Sequence, residues 1–301
     1  MSGTYILRKG VASLSDLVDG YLPVDFPMDA ESNVYYADVN RGNTTNSGLD
    51  KQNPSSTLAR MITVMNGRID WADSPWARHD VLVVAPGTYA ENLTSLPYGA
   101  TIVGLGYDLR DAQNGVKIKP ASGVPVDVNA CINTTFINIC FETAATAGGA
   151  AVFDAAIANN NTFINCRFSG PAETATAVGF VTSDAVGNKF IDCEFDCLDK
   201  GLDVNYADAN DSFSHNLIRD CRFTQIDTAG IEISTNLVGP SSIVERCVFV
   251  GAGQTMAIGV DDNSGILDLV DLYITATDPI QSCRSANGCY GNGSLLGGSG
   301  E

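Results

Sequence analysis

The sequence predicts an all-β chain wound as a single-stranded parallel solenoid, with one coil for about every 27 residues. Three observations predict it. Cys166, Cys193, Cys221 and Cys247 recur at steps of 27, 28 and 26 residues. A phenylalanine stands two residues after each of them, at Phe168, Phe195, Phe223 and Phe249. Two apolar columns offset by two residues carry the period of a strand. A second motif (small, apolar, variable, apolar) then recurs inside the same units. It reads Ala177-Val178-Gly179-Phe180, Gly201-Leu202-Asp203-Val204, Gly230-Ile231-Glu232-Ile233 and Ala257-Ile258-Gly259-Val260. A polar turn rich in Asp, Asn and Ser follows each.

The elements follow in chain order. Residues 54–67 read as a helix, with Ser55 or Ser56 as N-cap and Gly67 at its end. Leu58, Met61, Ile62 and Met65 give it one apolar stripe, suited to closing an open end of the coil stack. Residues 80–93 read as a buried strand, a Pro-Gly turn and a second strand, and residues 100–106 as the next strand. The repeat occupies 133–141, 161–168, 187–195, 216–223, 242–249 and 271–274. One inward column is therefore Ile139, Cys166, Cys193, Cys221, Cys247 and Leu272. The other is Phe141, Phe168, Phe195, Phe223, Phe249 and Ile274. Stacked at about 4.8 Å, the rings fill the interior, the thiols fit a tight corner, and Asn near each turn ladders its amide along the axis.

Composition sets the outer limits. The 301 residues carry 17 Lys plus Arg against 35 Asp plus Glu, a formal net charge of −18. That acid excess argues against a nucleic-acid or anionic-membrane partner, which need a positive footprint. At 45% hydrophobic and 17% charged residues the chain can bury a large core, yet no apolar run approaches the length of a bilayer span. Met1 to Gly10 lacks the apolar centre of a secretory signal. Four of the nine Cys stand in the periodic column and read as buried free thiols of a reducing compartment, with Cys283 and Cys289 outside the column. Three regions result: residues 1–32 as an N-terminal docking arm, 33–275 as the solenoid with regular coils from about 80, and 276–301 as a Gly-rich tail.

Tyr35-Tyr36-Ala37-Asp38, Asn53-Pro54, the helix and the run Val81-Leu-Val-Val-Ala-Pro-Gly-Thr-Tyr-Ala-Glu91 resemble the first coils of the right-handed parallel β-helix, pectate-lyase-like superfamily. With the repeat, the resemblance covers roughly residues 33–275. It implies the right-handed coil, but the superfamily spans lyases, hydrolases, esterases and non-enzymatic viral proteins. Acid-rich faces and docking ends resemble the β-helix proteins of bacteriophage particles, of the capsid-decoration or tailspike type. The resemblance implies a homotrimer on the virion surface, attached to other virion proteins through residues 1–30 and assembled in the host cytoplasm. The alternative it leaves open is a tailspike-type depolymerase, a hydrolase or lyase acting on a surface glycan.

Candidate chemistry is sparse. Asp203 and Glu232 are expected on consecutive coils, near the ~5–5.5 Å separation of a retaining glycosidase pair. Like charges so close raise one pKa, as a general acid needs, and the same oxygens suit Ca²⁺. The bland alternative is a solvated acidic face. Asp261-Asp262 resembles the paired Asp of the polygalacturonase branch, but neither a Gly-His-Gly nor an Arg-x-Lys follows. Arg167, Glu194 and Arg222 read as a charge ladder of alternating sign. His215 reads as a turn residue. Aromatic side chains are expected to be scarce at outward strand positions, where sugar rings would stack.

Overall fold

The computed structural model describes residues 32–68, 79–144, 151–171, 177–205, 211–235, 237, 239–250, 256–292 and 294–296. The docking arm, both Trp and the end of the tail lie outside these residues. The described chain is a parallel β-solenoid. Its first sheet has ten strands, running from Val34–Ala37 through Val81–Val84, Thr101–Gly104 and Thr135–Ile137 to Ser285–Asn287. Every neighbouring pair in it is parallel and in register, so Thr135 meets Thr162 and Thr162 meets Lys189, each 27 residues on. A second sheet begins after a corner in each coil, with strands such as Ile139–Glu142, Arg167–Ser169 and Val248–Val250. A third row follows, including Val126–Ile132, Ala151–Asn159, Val178–Thr182 and Ile258–Asp262.

The corner explains the sequence around each thiol. The residue before the column adopts a left-handed backbone: Asn138 (φ 58°), Asn165 (49°), Asp192 (53°), Asp220 (54°), Arg246 (51°) and Asp271 (51°). Asn and Asp tolerate that conformation better than other non-glycine residues, which is why they recur there. Arg246 departs from the pattern and is held by a two-pronged bond to Asp220, at 2.9 and 3.0 Å. The chain then turns inward. Cys166, Cys193, Cys221 and Cys247 are at most 1% exposed. Their thiols donate to the carbonyls of Phe136, Phe163, Phe190 and Ile218 in the preceding coil, at 3.4–3.6 Å. All nine thiols are free.

The column is longer than its spacing suggests. Val116 pairs with Ile139 at one end, and at the other Tyr273 pairs with Tyr290, which places Cys289 opposite Leu272. Cys289 is therefore a column member, not an outlier. The coils likewise continue past residue 275, through Asp278–Ser282, Ser285–Asn287 and Cys289–Gly291, and an antiparallel strand Ser294–Leu296 closes on the last of these. Burial raises the Cys166 and Cys221 thiols and pushes Cys140 up to about 11. Cys197 and Cys283 are the two partly exposed thiols. A titration with a thiol reagent should therefore label these two first, Cys283 slowly at neutral pH because burial and nearby carboxylates raise its thiol, and the buried seven only on unfolding. Rapid labelling at Cys193 or Cys221 would contradict the packing.

Rings fill the interior. Phe141, Phe168, Phe195, Phe223 and Phe249 stack with centroids 5.5, 4.8, 4.7 and 4.4 Å apart. Phe136, Phe163 and Phe190 form another stack, at 5.0 and 4.8 Å. Room for the first stack comes from glycine. A Cβ on Gly201 or Gly230 would lie 2.5 or 2.4 Å from the ring of Phe223 or Phe249. These glycines set the true register of the third row. Phe180 pairs with Leu202 and Ile231 with Val260, so Gly179, Gly201, Gly230 and Gly259 align. The sequence alignment had placed the first and last of these coils two residues out. A two-residue slip keeps every side chain on its own face, so hydrophobic pattern cannot detect it.

The helix spans Leu58–Asn66, four residues shorter at its start than expected, and buries Leu58, Met61, Ile62 and Met65. Neither Ser55 nor Ser56 is its N-cap. Thr57 holds that position without a side-chain cap bond. The Glu91 carboxylate instead accepts from the Leu58 and Ala59 amides at 2.8 and 2.9 Å. A negative group at a helix N-terminus satisfies orphan donors and complements the dipole. Here the cap comes from just beyond the Gly87–Tyr89 strand and ties the helix to the first coils.

Candidate functional site

Two outward strips carry the charged residues that the sequence singles out. The first runs along the third row. Asp127, Asp154, Val181, Asp203, Glu232, Asp261 and Ser282 are consecutive partners in it. Asp203 and Glu232 thus stand on adjacent coils, as expected, and Asp261 extends the line. Asp261 and Asp262 alternate across the strand. Asp261 follows Glu232 outward, while Asp262 pairs with Ile233, is fully buried, and accepts the Leu267 amide at 2.7 Å. The two therefore cannot act as a pair on one substrate. Asp262 organises the turn that follows.

The Asp203–Glu232 pair is bridged by a lysine from the strand of Asp203. Lys200 Nζ lies 3.2 Å from Asp203 and 2.9 Å from Glu232. Asp203 is 6% exposed and Asp261 8%. Burial raises the Asp203 pKa, Lys200 opposes that shift, and Glu232 adds to it. Burial also raises Asp154, with Asp127 beside it. The pair is neither a solvated acidic face nor an open carboxylate dyad. It is a compact ion triad. Among the described residues no three His, Cys, Asp or Glu side chains gather as a metal site.

The triad predicts a pH signature. Lys200→Met leaves two close carboxylates, one of them buried, without their cation. We expect a loss of about 2 kcal/mol at pH 7, between the values for exposed and fully buried pairs. The folded pKa of Asp203 then rises further above its unfolded value. Folded chains bind the extra proton in that window, so the deficit shrinks as pH falls through it and is full above it. Urea unfolding of the variant and parent at pH 7 and pH 5 checks this. An equal deficit at both would place the cost in packing.

The second strip lies on the second sheet. Its outward partners are Lys117, Cys140, Arg167, Glu194, Arg222, Val248, Tyr273 and Tyr290 in consecutive coils. The expected charge ladder is present between Arg167 and Glu194, at 3.4 Å, while Arg222 is exposed. The stronger links run to the next outward position. Arg167 pairs with Asp196, which also accepts from Thr224 at 2.7 Å. Glu142 takes both Lys117, at 2.7 Å, and Lys119, which hold its carboxyl below the usual range despite burial. Arg110 reaches Glu194 from the segment after Gly104. Sequence reading missed Asp196, Glu142, Lys117 and Lys119. Their signal was parity, since each stands at an outward position of a strand or, for Lys119, at the residue just after one.

Outward aromatics exist after all. Tyr273 and Tyr290 are both 49% exposed on adjacent coils, and Leu295 stands opposite Tyr290 at 60%. His215 adopts a left-handed backbone (φ 56°) at a turn, as expected.

Ten-stranded parallel stacking, a ring-filled interior and outward strips of paired charge define a β-solenoid. Residues 106–269 match the family described as the right handed beta helix region, and the chain belongs to that family. Among solved structures it is similar to the pectin methylesterase from Aspergillus niger in deglycosylated form. The two are 14% identical, with a TM-score of 0.57 over 89% of this chain and 88% of that one. A penultimately deglycosylated form of that enzyme aligns with a TM-score of 0.46, also at 14% identity, over 90% and 89% of the chains. At this identity the likeness is one of fold. No curated protein matches the sequence.

Proposed function

We propose that the protein is a non-enzymatic solenoid that serves as a structural subunit, rather than a polysaccharide hydrolase or lyase. The observation that carries this reading is the Lys200 bridge. A glycosidase pair needs one carboxyl protonated and both within reach of the bond. Here the candidate acid, although burial raises its pKa, is only 6% exposed, and Lys200 holds both carboxylates, so the pair is not open to a substrate bond. The outward charges at Arg167, Glu194 and Asp196 are likewise spent on one another. The sequence resemblance supplies the setting: a bacteriophage particle, with the protein as surface decoration, cement or spike, self-associating as a trimer. The test is incubation of the purified chain with a panel of capsular and cell-wall polysaccharides, pectin included. No new reducing ends and no unsaturated product are expected. Turnover abolished by Asp203→Asn would overturn the reading.

One observation favours a second reading, a glycan-binding surface. Tyr273 and Tyr290 offer exposed ring faces on successive coils, in line with Arg222. Sugar rings stack on such platforms. Glycan-array binding lost in Tyr273→Ala/Tyr290→Ala would support it, with or without cleavage.

A further inference from the structure

The ion triad leaves over one acid of its own strip. Glu232 is followed on the next coil by Asp261, its in-register partner. Asp261 is only 8% exposed, and its Oδ1 is buried without a hydrogen bond. Lys200 is taken up by Asp203 and Glu232. The partner after Asp261 is Ser282, whose hydroxyl donates to the Asp262 carbonyl instead. A carboxylate this deeply buried is costly unless a cation or a hydrogen-bond donor faces it.

Lys200 shows what would satisfy it. Its Nζ sits between an acid of its own coil and the acid of the next, 3.2 Å from Asp203 and 2.9 Å from Glu232. Its in-register partner on the next coil is Ala229. Ala229 precedes Glu232 by three residues, as Lys200 precedes Asp203. A lysine there would reach Glu232 and Asp261 by the same geometry. Alanine ends at Cβ, so at this interval the strip supplies both acids and no ammonium. The rest of that column is apolar, with Val178 before Lys200 and Ile258 after Ala229. An alkyl chain thus finds apolar neighbours while its head finds two carboxylates, which is how a lysine divides its own contacts. The Glu232 side chain is 27% exposed, which opens the interval to solvent. On coils about 4.8 Å apart, one ammonium can donate to both acids. Calcium suits the interval less well. It takes about six to eight oxygen ligands, and among the described residues no three His, Cys, Asp or Glu side chains gather.

We propose that the interval between Glu232 and Asp261 is a binding site for a primary alkylammonium group, held as Lys200 is held in the interval before it. The ligand class is a small aliphatic amine whose chain lies along the column of Ala229 and Ile258. The proposal rests on neither the virion reading nor the glycan reading.

The test is isothermal titration of the full-length protein with n-butylammonium chloride, which is the lysine side chain as a free molecule. Tetramethylammonium chloride at equal ionic strength carries the same charge with no N–H to donate, and sets the baseline. Butylammonium should bind about ten-fold more tightly than tetramethylammonium. Asp261→Asn should remove that preference. Asp127→Asn takes an equal charge from the far end of the same strip. It should leave butylammonium binding within about two-fold of the parent. Ala229→Lys should supply the ammonium from the chain itself, abolish butylammonium binding and raise the thermal midpoint by several degrees. Equal binding of the two ions would overturn the proposal, as would equal losses in the two asparagine variants. So would butylammonium binding retained by a folded Ala229→Lys chain. Displacement of butylammonium by Ca²⁺ at equal concentration would also overturn it, by making the interval a metal site. If Ala229→Lys does not fold, the comparison of Asp261→Asn with Asp127→Asn decides alone.

Discussion

Asn188→Leu is expected to destabilise the protein by about 4 kcal/mol, although Leu matches Asn in length and the site is interior. Asn188 is 1% exposed and sits in a continuous polar ladder of Thr134, Asn161, Asn188, Asn216 and Ser242. Its Oδ1 accepts from both the backbone amide and the Nδ2 of Asn161, each at 3.0 Å. Its Nδ2 donates to Ala158 O at 2.6 Å and to Asn216 Oδ1 at 3.0 Å. Leucine removes one acceptor and two donors at once. The Asn161 amide and the Ala158 carbonyl are then buried without partners, at roughly 1–3 kcal/mol each, and the ladder is cut in its middle. Because each coil contacts its neighbours alone, the two halves should lose cooperativity, and urea unfolding should broaden as well as shift. The control is the outer amide ladder. Asn165 Nδ2 donates to Asn138 Oδ1 at 2.9 Å in a half-buried corner. Asn165→Asp keeps an Asx side chain for the left-handed turn and should cost less than about 1 kcal/mol. A loss below that at Asn188 would mean that the ladder is incidental to stability.

How much of this was legible in the sequence depends on what repeats. In an in-register parallel stack a spacing in sequence becomes a contact in space, so the columns through Cys166 and Phe168 could be read directly. The spacing fails where a coil shortens. Cys289 follows Leu272 by 17 residues, and its membership is set by hydrogen-bond register instead. Parity survives a two-residue slip, which is why the Asp203–Glu232 adjacency was visible while the glycine alignment around it was not. The helix cap was hidden because Glu91 lies 33 residues beyond Leu58. Lys200 was in plain view three residues before Asp203, but its reach across to Glu232 depends on where the next coil lies. The site was thus half legible: the acids by pattern, their neutralisation by packing alone.

Phe195→Ala and Gly201→Val should damage the same ring stack from opposite directions. Phe195 is fully buried between Phe168 and Phe223, with centroids at 4.8 and 4.7 Å. Its removal leaves a cavity flanked by rings that cannot close on it, because their coils are held by backbone ladders above and below. About 4 kcal/mol is expected, near the middle of the range for buried Phe. Gly201→Val does the reverse. A Cβ there lies 2.5 Å from Gly230 O and 2.5 Å from Phe223 Cδ1, so both the ladder and the ring must yield. That overpacking should cost about 3 kcal/mol. The two sites separate through Phe223. Phe223→Ala makes room beside residue 201, so combining it with Gly201→Val should cost less than the two changes summed, by at least about 1 kcal/mol. Combined with Phe195→Ala it relieves nothing. Chemical denaturation of the single and double variants gives both coupling energies. If Gly201→Val and Phe223→Ala add, the glycine column is small for the sake of the neighbouring carbonyl rather than the ring. The carbonyl of Gly230 cannot move out of the way as a side chain can, so some cost at Gly201 should persist in every background.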